Sequence, residues 1–227
     1  MHSENARDPA DSSVMSFRRT LERGLEAWNL DPGSRFLRQC EGYFRILREW
    51  NRVFRLVGHR NARDMAVNLF LDSLAPASLL PEKGRLLDMG SGAGFPGLVL
   101  KLFRPDLQCF LVEAARKKAN FLRQVILELE LEGIRVIQAS LGLETVKEPA
   151  LESVDVVTAK ALGPMKHLWS LGAPFLNSCG RLIAMKGPRG EEEAFPGMDA
   201  HVTRVGYELP EGFGPRTLVI VSRCGSA

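Results

Sequence analysis

An α/β fold, with a parallel sheet behind a helical N-terminal extension, is what the 227-residue sequence predicts. Three observations carry that prediction. Apolar residues recur at helical spacing through the first eighty positions. From residue 85 short apolar runs alternate with helical stretches, and a glycine-rich turn follows the first of those runs. At 45% hydrophobic residues the chain can bury a substantial core. No apolar run approaches the roughly 18 residues of a membrane span, and residues 1–13 lack the apolar centre of a signal peptide. The expected organisation is a disordered tail over 1–15, a helical region over 16–83 and a Rossmann-like domain over 84–227.

Ser16 is placed to cap a first helix with Phe17, Leu21, Leu25 and Trp28 on one side. Ser34 is placed to cap a second, where Phe36, Leu37, Cys40, Tyr43, Phe44, Leu47 and Trp50 form a stripe that reads as core rather than as a stacking surface. A third helix is expected over 62–79, ending before Pro81. The pattern then becomes strand 85–89, helix 96–103, strand 107–113 and a long helix 115–131 that turns Phe121, Leu122, Val125, Ile126 and Leu129 inward. Strands at 135–139 and 154–159, a helix at 164–176 and a strand at 181–185 follow, and segments 201–207 and 217–222 would close the sheet as a hairpin. Repeated strand–helix units imply right-handed crossovers, with ligand held beyond the carboxyl ends of the strands.

At the tip of the first strand the chain reads Leu86-Leu-Asp-Met-Gly-Ser-Gly-Ala-Gly-Phe-Pro-Gly97. A carboxylate at Asp88 beside the turn disfavours a phosphate and suits the amino group and sulfonium of S-adenosylmethionine. Gly92, Gly94 and Gly97 also satisfy the spacing of a dinucleotide fingerprint, so that reading stands beside the first. The positions to watch are Gly90, Ser91, Gly92, Gly94 and Phe95 in the turn, then Glu113 and Ala114 after the second strand. Glu113 is positioned to accept both ribose hydroxyls, or else merely to cap the next helix. Leu141 and Gly142 would flank an adenine, and Lys160 and Lys186 end the fourth and fifth strands.

Cys40, Cys109, Cys179 and Cys224 are far apart, as are the four histidines. That spacing fits neither a disulfide framework nor a metal centre and implies a reducing cytoplasm. Between residues 35 and 63 stand eight arginines against Glu41 and Glu49. Guanidinium forks match phosphate oxygens, so Arg52, Arg55, Arg60 and Arg63 are candidate contacts to a nucleic-acid backbone. A solvated helix face is the alternative.

Together these segments resemble the bacterial small-subunit ribosomal RNA guanine-N7 methyltransferases, the glucose-inhibited division protein B family. The resemblance rests on Asn51-Arg-Val-Phe-Arg-Leu56, Leu71-Asp-Ser-Leu74, Leu87-Asp-Met-Gly-Ser-Gly-Ala-Gly-Phe-Pro-Gly97, Arg116-Lys-Lys-Ala-Asn-Phe-Leu-Arg-Gln124 and Met185-Lys-Gly187, over 37–221. It implies a class I S-adenosylmethionine-dependent methyltransferase sheet and a substrate in 16S ribosomal RNA or the small ribosomal subunit. It also implies that Gly90 and Phe95 line the methionine and ribose side, that Leu141 and Gly142 hold the adenine, and that Lys160 stands at the pocket mouth. The sequence departs from the family's usual arginine at Lys160, glutamate at Gly142 and arginine–histidine pair at Asn68-Leu69.

Guanine N7 carries a lone pair and no proton, so its methylation needs positioning rather than a general base. The absence of a catalytic histidine or carboxylate pair in the expected loops agrees with that. So does the absence of an Asn/Asp-Pro-Pro-Tyr segment after the fourth strand and of a Pro-Cys dipeptide. Lys160 is the candidate catalytic residue, toward guanine O6, a phosphate or the cofactor carboxylate. Lys186 is a candidate phosphate contact. The expected enzyme is a metal-free monomer. Its alternatives are a same-fold methyltransferase acting on a small molecule or protein, or a non-catalytic paralogue that binds ribosomal RNA.

Overall fold

A computed structural model describes residues 9–141, 151, 153–188 and 200–223. Helix α1 (Pro9–Ala27) starts well before the expected cap at Ser16, so 9–15 is not a tail. Proline suits a first helical position, where its missing N–H is no loss, and Val14 of this polar stretch is buried. Helix α2 (Gly33–Phe54) buries Phe36, Cys40, Tyr43, Phe44, Ile46 and Leu47, while Arg55 closes it in the left-handed region at φ 48°. The expected 62–79 helix is not uniform. As α3 (62–74) it is α-helical over Ala62–Met65, π-helical over Ala66–Leu71 and α-helical again over Asp72–Leu74, with a separate 3₁₀ turn at Ala77–Leu79. A π turn of this kind is frequent at functional sites.

The sheet follows in β1 (Gly84–Met89), β2 (Leu107–Val112), β3 (Ile134–Ile137), β4 (Val154–Lys160), β5 (Leu176–Lys186), β6 (Ala200–Leu209) and β7 (Gly214–Arg223). Between the strands lie α4 (Gly97–Phe103), α5 (Arg116–Glu128) and α6 (Met165–Gly172). Strand order is β3-β2-β1-β4-β5-β7-β6. Neighbours β1–β2, β2–β3, β1–β4 and β4–β5 are parallel, and β7 runs antiparallel to both β5 and β6.

Burial alternates along the strands as a doubly covered sheet requires. Leu86, Cys109, Leu111, Val156, Ile183 and Met185 face one core, shared with α1 to α5, whereas Leu87, Met89, Phe110, Val112, Val157 and Leu182 face a second core under α6. The N-terminal helices therefore share a core with the sheet. The strand order reverses at β1, where β2 lies on one side and β4 on the other. This switch point is where open α/β sheets hold ligands. Among the described residues no helix is long and apolar enough to cross a membrane.

Candidate cofactor pocket and arginine clefts

Beyond Met89 the chain turns through residues 90–96 into α4, and its backbone donors are committed to the protein itself. The N–H of Ser91 donates to the Val112 carbonyl (2.9 Å), and those of Gly94 and Phe95 donate to the Ser91 carbonyl (2.7 and 3.1 Å). The N–H of Gly92 donates to Glu113 Oε2 (2.8 Å) and that of Gly97 to Asp88 Oδ2 (3.1 Å). A phosphate-binding turn needs such amides aimed outward. With five of them turned inward and two carboxylates alongside, this turn is poorly made for a pyrophosphate.

Asp88 does not hold the place the sequence suggested. It is fully buried, with Oδ2 taking the Gly97 N–H and Oδ1 the Thr158 hydroxyl at 2.8 Å. Its carboxylate ties the end of the turn to β4 rather than facing a sulfonium. Burial pushes its pKa up to about 6, against the opposing pull of the Thr158, Ser91 and Gly97 hydrogen bonds. The Ser91 side chain is itself buried, with its hydroxyl donating to the Asp88 carbonyl at 3.0 Å.

Glu113 follows β2 and uses Oε2 for the Gly92 N–H and Oε1 for the Ala115 N–H, 2.8 Å each. It thus joins the turn after β1 to the segment just ahead of α5. A carboxylate has about four acceptor sites, so two remain for vicinal hydroxyls. Room exists beside it: a Cβ built on Gly92 (φ 61°) meets only the Gly90 carbonyl oxygen, 3.8 Å away. Open space at Gly92, an acceptor pair at Glu113 and exposed Ala114 fit an adenosine-bearing ligand. Leu141 is half-buried against the second core. Gly142 lies outside the described residues.

Phe95 corrects a second expectation. Its ring is stacked on Tyr43 (5.3 Å, 15°), meets Phe70 edge-on (5.3 Å, 70°) and is 8% exposed, so it packs with the N-terminal helices rather than lining a pocket. The Tyr43 hydroxyl donates to the Ala93 carbonyl, and burial pushes that phenol's pKa well up. Gly94 (φ 93°) has no room for a side chain, since a Cβ there would lie 2.5 Å from the Tyr43 oxygen.

Lys160 ends β4 with its ammonium held 2.7 Å from Asp72 Oδ2 and donating to the Asn68 carbonyl at 2.8 Å. Asp72 Oδ1 also accepts the Tyr207 hydroxyl (2.7 Å), and Arg216 donates to Asn68 Oδ1 (3.3 Å). The two departures noted at Lys160 and Asn68 are therefore one contact, in which the π turn of α3, β4 and the closing hairpin meet. Lys160 stands at the sheet edge expected, but its head group is engaged by protein and its side chain is 18% exposed. Lys186 donates to the Gly163 carbonyl, fastening the loop after β4, and is half-buried rather than a free cation.

Three of the four candidate arginines converge. Arg52, Arg55 and Arg60, joined by Arg48, line a cleft of about 800 Å³ at the C-terminal end of α2. Asn51 shapes it by accepting the Val57 N–H (2.9 Å). The same end of α2 packs on α5, where exposed Phe54 sits under Lys117 (4.6 Å) and Trp50 packs on Phe121 (5.6 Å). Arg63 is not among them. It pairs with Glu211 at 2.6 Å in a different cleft.

Sequence reasoning missed Tyr43, Thr158 and Asp72 as site residues. The last two carried a signal, each being a polar residue inside an apolar run, while Tyr43 was indistinguishable from its aromatic stripe.

The family model for GidB, rRNA small subunit methyltransferase G, matches residues 37–204. Ribosomal RNA small subunit methyltransferase G of Xanthomonas euvesicatoria pv. vesicatoria is 37% identical over 205 residues, covering 89% of this chain and 93% of the relative. The protein of that name from Halorhodospira halophila is 38% identical over 196 residues, covering 85% and 90%. Among solved structures, a protein assigned as an O-methyltransferase from Klebsiella pneumoniae matches with a TM-score of 0.60 at 16% identity, over 92% of this chain and 99% of its own. Precorrin-6y C5,15-methyltransferase from Geobacter metallireducens matches with a TM-score of 0.50 at 15% identity, over 75% and 92%. At those identities the structural matches speak to the fold alone.

Proposed function

The chain belongs to the rRNA small subunit methyltransferase G family, and from that premise we propose that it transfers the methyl group of S-adenosylmethionine to N7 of a guanine in 16S ribosomal RNA. The observation that carries the cofactor side is the inward commitment of the turn amides beside Glu113, which leaves an acceptor pair and open space but no phosphate cradle. S-adenosylmethionine supplies there an electrophilic methyl on a positively charged sulfur.

The chain's own residues have a positioning task. Glu113 holds the ribose hydroxyls, Gly92 gives the close approach, and Leu141 bounds the adenine. Asp88 and Ser91 act indirectly, by fixing the shape of the turn. The incoming nitrogen has no proton to lose, so no base is required and rate comes from in-line alignment at near-contact distance. Lys160, held by Asp72 and Asn68, borders that space with its orientation fixed and acts as a positioning cation toward the base. Arg48, Arg52, Arg55 and Arg60 take the RNA backbone next to it, and Phe54 offers a ring on which an unstacked base can lie. In this reading the protein works as a monomer on the small subunit or its RNA in the cytoplasm.

Small ribosomal subunits from a strain lacking the gene, incubated with the protein and labelled S-adenosylmethionine, test this reading. Digestion and mass spectrometry should find one new 7-methylguanosine in 16S RNA. Label in another base, or calorimetric affinity for nicotinamide dinucleotides and none for S-adenosylmethionine, would refute it.

A further inference from the structure

A second basic cleft, of about 620 Å³, lies between α1, the first turn of α3 and the β6–β7 turn. Arg19, Arg23 and Arg63 line it together with the hydroxyl residues Ser16 and Thr20. Its remaining feature is Glu211. Although this residue sits on a turn, its side chain is only 18% exposed, with one oxygen 2.6 Å from Arg63 Nε and the other 3.8 Å from an Arg23 nitrogen. The backbone of Glu211 is at φ 60°, a left-handed conformation disfavoured for a residue with a Cβ. The carboxylate is thus delivered between two guanidinium groups from a strained turn, in the geometry an oxyanion ligand would adopt. Arg63 is also held over the Phe213 ring at 5.4 Å, so its fork is oriented from two sides.

Register places this cleft on the reactive edge of the sheet. Lys186, the last residue of β5, pairs with Thr217 near the start of β7, so the 210–213 turn projects past the carboxyl ends of the parallel strands. The cofactor turn projects from the same edge. Arg60 lines the first arginine cleft and Arg63 the second, so the start of α3 separates two basic surfaces. Arg19 and Arg23 precede residue 37, where the family match begins.

We propose that this cleft is a second station for the phosphate backbone of the RNA substrate, and that the Glu211 carboxylate occupies it in place of a phosphate until RNA arrives. The inference rests on the RNA methyltransferase reading above and extends its footprint to α1. RNA following the edge from Arg52 and Arg55 past Arg60 would reach Arg63, where a phosphate displaces Glu211 and the turn swings out.

Filter binding of a 16S RNA transcript across a salt series tests it. Glu211→Gln should tighten binding roughly three- to tenfold at moderate salt, because no carboxylate has to be displaced, while leaving the log–log salt slope close to the parent's, the same phosphates being contacted. Arg19→Glu with Arg23→Glu should weaken binding at least about tenfold and flatten the slope by about 1.4. S-adenosylmethionine affinity by calorimetry should stay unchanged in both, which reports an intact fold. Glu82→Gln makes the same charge change ahead of β1, at the opposite edge, and should do nothing to RNA affinity. Equal tightening by Glu82→Gln and Glu211→Gln, or parent-like binding by the Arg19/Arg23 double variant, would overturn the station while leaving the methyltransferase reading in place. Parent protein that neither binds nor methylates the RNA would overturn both.

Discussion

Replacing Asp88 by Asn isolates the electrostatic cost of the buried acid at the cofactor turn. In the folded protein burial raises this carboxyl from its ordinary 3.8 to about 6. Between those values the folded state keeps a proton that the unfolded chain has lost, so raising the pH from about 4 to about 6 lowers stability. Below and above that window this group leaves stability flat. At 1.36 kcal/mol per pH unit the whole displacement is worth about 3 kcal/mol. An asparagine has the same shape, still accepts the Gly97 N–H or the Thr158 hydroxyl, and never ionises. The Asp88→Asn variant should therefore gain little on the parent near pH 4, progressively more as the pH rises to about 6, and about 3 kcal/mol above pH 7. Urea unfolding of both proteins across that range measures the gap directly, and other titrating groups cancel in the difference. Parallel stability profiles would show that the carboxylate is not desolvated. A gap that narrowed with pH would mean that its hydrogen bonds outweigh burial.

Lys160→Met should destabilise the fold by about 3 kcal/mol, because Asp72 is left charged and almost fully buried. Adding Asp72→Asn should restore most of that loss in the same urea assay. In a chain that still folds, Lys160→Ala should lower methyl transfer far more than S-adenosylmethionine affinity, and equal losses in both would make Lys160 a cofactor residue. The two glycines of the turn should behave oppositely. Gly92→Ala, with open space at its Cβ, is expected to cost about 1 kcal/mol in stability but weaken S-adenosylmethionine about tenfold by calorimetry. Gly94→Ala, driven against the Tyr43 oxygen, should cost about 3 kcal/mol of stability. Removing Arg52 or Arg55 should reduce the salt slope of RNA binding by about 0.7 each, and unchanged slopes would take the first arginine cleft out of the interface.

Where the sequence was readable, periodicity made it so. The change from a helical stripe at Phe36–Trp50 to alternating strands after residue 84 located the sheet, and the residue types of the turn singled out the bend proposed above to hold the cofactor. What could not be read were pairings across long separations. Phe95 looked like a pocket residue because its partners, Tyr43 and Phe70, come from helices far upstream. Lys160 looked like a free cation because Asp72 lies 88 positions before it, on a helix whose π turn leaves no mark in composition. Asp88 was singled out correctly as unusual, but an acid in an apolar strand reads alike whether it meets a ligand or closes a loop. The early start of α1 was hidden by its polar composition, since among the described side chains of that stretch only Val14 is buried in the core.

The hydroxyl of Tyr43 on the Ala93 carbonyl has a consequence for dissection of the molecule. A fragment trimmed to the strands and their crossover helices would lack both the phenol and the Phe70 ring, bare the ring of Phe95, and release the Ala93 carbonyl in the turn after β1. Grafting experiments that treat residues 84–227 as a portable catalytic module should thus yield a loose bend and a poor enzyme. Helices α1 to α3 are scaffolding for the chemistry, and they have to travel with it.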